Sequence, residues 1–133
     1  MASEHKPLDE ARIKRIEEIV QTYLKVPIRV KFTRYCYACG DCRKQPVMWT
    51  GEGVTHVDLA TFDRLPPDYL AFMIGHEFGH ARYTFPMDCS KANYYSADLL
   101  REAGMPVSEV RRLLQRWVGD ALALENGQNP SWA

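Results

Sequence analysis

From Pro66 to Tyr83 the chain carries one helix-compatible run, with His76-Glu77-Phe78-Gly79-His80 in its second half. Pro66-Pro67-Asp68 marks the start, because proline tolerates the first helical turn and an acid favours its positive end. Leu70, Phe72, Met73, Ile74 and Phe78 make the run largely apolar, so it belongs inside the fold. A buried helix that holds two histidines and a glutamate must give those polar groups partners. Positions four apart lie one turn above each other, so the imidazoles of His76 and His80 share a face. Glu77 is turned about 100° from them. Two convergent nitrogen donors can hold one metal ion, and the carboxylate beside them can reach a nearby water. Gly79 in mid-helix costs about 1 kcal/mol relative to alanine, which points to close approach of another backbone.

The 133 residues amount to one domain, long enough to bury a core without disulfides. Seventeen basic and seventeen acidic residues cancel, which argues against a nucleic-acid surface. Arg43-Lys44 is only a short basic patch. No apolar stretch approaches the roughly 18 residues of a membrane span. Met1 to Glu10 is polar and has no apolar core of a secretory signal. The expected location is therefore cytoplasmic, with reduced thiols.

Pro7 to Lys25 places Leu8, Ile13, Ile16, Ile19, Val20, Tyr23 and Leu24 at helical spacing, which predicts an amphipathic helix. Ile28, Val30 and Phe32 alternate with Arg29, Lys31 and Thr33, the pattern of a half-buried strand. Val47–Trp49 and Val54–Phe62 read as further strands about a Gly51-Glu52-Gly53 turn. After the histidine helix come a helix over about Lys91–Ala103, stopped by Gly104, and another from Pro106 to near Gly127. The tail to Ala133 is expected to fray. Strands and helices segregate along the chain, which predicts an α+β fold with a small mixed sheet.

The pentapeptide and the strand before it resemble the zincin metallopeptidases. The likeness runs from Val54 to about Gly104, less than half the chain. It implies a catalytic zinc on His76 and His80, Glu77 as general base, and a peptide or protein substrate. It also implies that Val54–Phe62 is an edge strand on which the substrate aligns. Catalytic zinc needs a third protein ligand. The metzincin branch would place it six residues beyond His80, at Pro86, and is excluded. The gluzincin branch takes a glutamate from a downstream helix. Tyr94-Tyr-Ser-Ala-Asp98 resembles the E-x-x-A-D signature of the HtpX-like group, but with Tyr94 in the ligand position. The third ligand is then Asp98, with Glu102 one turn later as its alternative, or the site is degenerate. Tyr83, Tyr94, Tyr95 and His56 are all available as oxyanion donors, and nothing in the sequence selects among them.

Cys36, Cys39 and Cys42 form C-x-x-C-x-x-C, and Cys89 follows the histidine helix. Four thiolates fit a second, structural zinc. The spacing also resembles part of an iron–sulfur cluster run, without its usual final cysteine and proline. Disulfides or free thiols are the remaining readings, and Cys89 alone could instead ligate the catalytic zinc and inhibit it. The sequence thus predicts a zinc metallopeptidase. Its rival is a non-catalytic zincin-like module that binds a protein partner and keeps only a structural metal.

Overall fold

The computed structural model describes residues 6–7, 9–27, 32–36, 48–51, 54–82 and 89–132. For the strand segments and for residues 60, 61, 81, 82 and 89 it describes the backbone alone. Helix α1 spans Glu10–Ile19, and its N-cap Asp9 accepts a hydrogen bond from the Arg12 N–H at 2.9 Å. That bond satisfies one of the orphan donors of the first turn. The Arg12 guanidinium also pairs with Asp63, tying α1 to the segment that precedes the histidine helix. The helix widens into a π-helical turn, Val20–Leu24, and stops at Lys25, whose φ of 56° is left-handed.

Four short segments pair through their backbones: β1 (Lys6–Pro7), β2 (Phe32–Cys36), β3 (Met48–Gly51) and β4 (Val54–Asp58), in the order β1-β2-β4-β3. β2 and β4 run parallel, and the other two pairs are antiparallel. Helix α2 (Leu59–Phe62) follows β4 directly. Then come α3 (Pro67–Arg82), α4 (Cys89–Glu102) and α5 (Val107–Glu125).

The packed body corrects the expectation of an α+β domain. Of the residues whose side chains are described, 77% are helical and none lies in a strand. Each described buried side chain comes from a helix or from Leu65, in the link between α2 and α3. The physical reason lies in α3. Tyr69, Leu70, Ala71, Phe72, Met73, Ile74 and Phe78 are all buried, so the helix is apolar nearly all round and needs cover on several sides. Other helices supply that cover. Ile16, Ile19, Val20 and Leu24 come from the first helix, Leu99 and Leu100 from α4, and Val110, Leu113 and Trp117 from α5.

Two strand expectations also change. Val54–Phe62 is cut at Asp58, because Leu59 and Phe62, three apart and wholly buried, adopt the helical period. β4 lies between β2 and β3, so it is not an edge; β3 is, and it runs alongside α3. The strand expected at residues 28–33 overlaps β2 only at Phe32 and Thr33, and 28–31 lie outside the described residues. Glu52 and Gly53 of the expected turn also lie outside them. Among the described residues no helix is long and apolar enough to cross a membrane.

The tail after α5 is held rather than frayed. Asp120, buried on α5, accepts hydrogen bonds from the Tyr69 hydroxyl (2.5 Å), the Ser131 N–H (2.6 Å) and the Ser131 hydroxyl (2.6 Å). Trp132 packs on Tyr69 with ring centroids 6.1 Å apart, and the Arg116 guanidinium lies over the Tyr69 ring, 4.2 Å from its centroid. Burial pushes the Tyr69 hydroxyl well above its ordinary pKa, and the Asp120 carboxylate adds to the shift.

Gly79 and Gly75 set how closely α3 and α4 approach. A Cβ on Gly79 would come within 2.6 Å of the Ala92 Cα, and one on Gly75 would overlap the Ser96 side chain. Ser96 uses that space to donate from its hydroxyl to the Phe72 carbonyl at 2.7 Å. Gly79→Ala gains about 1 kcal/mol of helix propensity. It is nevertheless expected to destabilise the fold by about 1–3 kcal/mol, because the overlap is with backbone. Chemical denaturation measures this, and a stabilised variant would contradict the close approach.

Candidate metal centre

His76, Glu77 and His80 stand on the second half of α3. His76 and Glu77 are buried, at 4% and 2% exposure, and His80 is half-buried. The two imidazoles meet with their Nε2 atoms 2.9 Å apart. A tetrahedral metal with bonds of about 2.0–2.1 Å holds its nitrogens about 3.3 Å apart, so a few tenths of an ångström of spreading would admit one ion. The donor chemistry therefore fits zinc.

Protonation favours the same reading. Burial, helped by the nearness of His80, pushes His76 down to about 3 against the opposing effect of its hydrogen bond to Asn93. Burial also lowers His80. Both rings are neutral at neutral pH, the state in which imidazole donates to a metal.

Asn93 of α4 fixes which nitrogen of His76 is free to do so. Its Oδ1 lies 2.7 Å from His76 Nδ1 and accepts a hydrogen bond from the N–H there, which leaves a lone pair on Nε2. His80 Nε2–H donates to that lone pair. Trp117 of α5 closes another side, its ring 5.0 Å from the His76 ring. Asn93 belongs to none of the motifs in the sequence. A signal was present: Gly75 and Gly79 on one helix and Ala92 and Ser96 on the other are small residues four apart, which marks two helices in close register. That register brings residue 93 to residue 76. Asn93→Ala is expected to weaken zinc binding about 10–100-fold, with Asn93→Asp retaining it. A chelator competition titration reads both, and an unchanged affinity in the alanine variant would remove this role from Asn93.

The expected third ligands are not brought to the pair. Asp98 lies about 140° around α4 from Asn93. It is exposed and accepts a hydrogen bond from Arg101 at 2.9 Å. Glu102 is exposed in the last turn of the same helix. Tyr94, in the position where the resemblance expects a glutamate ligand, is 65% exposed. Among the described residues no three His, Cys, Asp or Glu side chains form a group that could hold a metal. Of the four cysteines, Cys36 ends β2 and Cys89 opens α4, with only the backbone described for each, and Cys39 and Cys42 lie outside the described residues. Of the oxyanion candidates, Tyr83 lies outside them too, and His56 is placed on β4 opposite Trp49 and Arg34.

Comparison with family models, curated proteins and solved structures gives no match for this chain.

Proposed function

We propose that this chain is a zinc-dependent metallopeptidase that hydrolyses peptide bonds. The observation that carries the proposal is the buried, neutral His76–His80 pair, with Nε2 atoms 2.9 Å apart and the far side of His76 held by Asn93. Two neutral imidazoles converging in a core have a metal as their natural common partner. Zinc held there would act as a Lewis acid on a scissile carbonyl and draw the pKa of a water toward about 7. Glu77, next in sequence and buried beside the pair, takes the proton of the attacking water and passes it to the leaving amine. Asn93 and Trp117 keep the His76 ring in place while this happens, and Trp117 excludes water from its side.

The substrate is a peptide or protein segment in extended form, added along the edge of β3 that no other strand among the described residues pairs with; β3 runs beside α3. The proposed location is the cytoplasm, where the cysteines stay reduced.

The test is hydrolysis of unfolded protein or a mixed peptide pool by the zinc-loaded chain. Activity should vanish with a chelator and return with zinc. Zinc bound through His76 and His80 with no hydrolysis of any substrate would favour a non-catalytic binding module instead.

A further inference from the structure

The pair needs a third donor, and the acids expected to supply it point elsewhere. The packing of α3 against α4 indicates where to look. The helices run antiparallel in a register defined by three contacts: Gly75 against Ser96, Gly79 against Ala92, and His76 bonded to Asn93. One turn onward along α3 from His76 is His80. One turn back along α4 from Asn93 is Cys89, the first residue of that helix. Cys89 thus holds the same backbone position relative to His80 that Asn93 holds relative to His76. Four residues also bring it within about 40° of Asn93 around the helix, on the face turned to α3.

We infer that Cys89 is the third zinc ligand. The inference rests on the metallopeptidase reading only in assuming that a metal occupies the His76–His80 pair. A thiolate is a normal zinc donor, and two imidazoles with one sulfur leave the fourth position open for water and substrate. The assignment separates Cys89 from Cys36, Cys39 and Cys42, so the four cysteines do not close one structural site.

Cobalt(II) is the probe, added to the metal-free full chain under reducing conditions. With Cys36, Cys39 and Cys42 all changed to serine, Cys89 is the sole sulfur left in cysteine. One cobalt per chain should bind and show a sulfur-to-cobalt charge-transfer band in the near ultraviolet. Cys89→Ser in that background should abolish the band and weaken binding by more than about 100-fold, beyond what loss of an outer-shell partner costs. In the otherwise native chain, Cys89→Ser should weaken His76-dependent binding as severely, and Cys89→Asp should restore much of it. That comparison keeps the result readable if the triple variant does not fold. Cobalt bound through the histidines without a sulfur band would overturn the inference. So would a Cys89→Ser chain with undiminished affinity at the histidine site. If neither histidine variant affects cobalt binding, the metal reading itself fails, and Cys89 with it.

Discussion

Glu77→Gln should leave zinc binding intact and lower the rate of peptide hydrolysis about a thousandfold, inside the 10²–10⁴ range of general acid–base catalysis. The substitution keeps the size of the side chain and its capacity to accept a hydrogen bond through one oxygen. It removes the one function a carboxamide cannot perform, accepting a proton near neutral pH. Glu77 is 2% exposed and lies on the same helix as both histidines. A general loss of folding would therefore show in zinc content as well as in rate. The informative result is the split: full zinc occupancy with the rate gone. Steady-state kinetics on the zinc-loaded variant, beside metal analysis of the same sample, reads both. Wild-type activity in Glu77→Gln would remove the proposed mechanism.

The second large effect is structural and lies at the other end of α3. Asp120→Ala is expected to destabilise the fold by about 3 kcal/mol, which for a chain of this size lowers Tm by roughly 10 °C. Its carboxylate accepts from Tyr69, a wholly buried residue, and from two groups of Ser131. Removing it leaves the Tyr69 hydroxyl unpaired in the core and releases the tail that carries Trp132. Tyr69→Phe removes the hydroxyl together with the need for it and should cost less. The ordering of the two variants in a thermal melt is the test, and equal stability of Asp120→Ala and wild type would contradict the latch.

The pair itself was legible in the sequence, because its spacing of four is local and the apolar run around it leaves little choice but a buried helix. Gly79 was legible for the same reason, and Ala92 is the neighbour it makes room for. The fold class was not. Alternation at residues 54–58 is a true strand signal, but it does not reveal that Leu59 and Phe62 turn helical or that helices make up the described core. Ala97-Asp98 matches a familiar spacing on α4, yet Asp98 stands exposed and paired with Arg101. Which face of that helix meets α3 is decided by Gly75 and Gly79 against Ser96 and Ala92, contacts between residues 21 and 13 positions apart. Spacing within one helix cannot reveal it. The tail was misjudged for a related reason. Asp120 reads as one more exposed helix carboxylate until Tyr69, 51 positions away, is seen to meet it.

On the proposed reading, His76 and His80 together hold one zinc ion. Zinc titration of the metal-free chain against a competing chelator at neutral pH tests it most directly, with wild type compared to His76→Ala and His80→Ala. Each variant should bind one equivalent fewer at concentrations that saturate the wild type, while keeping its helical circular dichroism. Unchanged zinc stoichiometry in both variants would contradict the account.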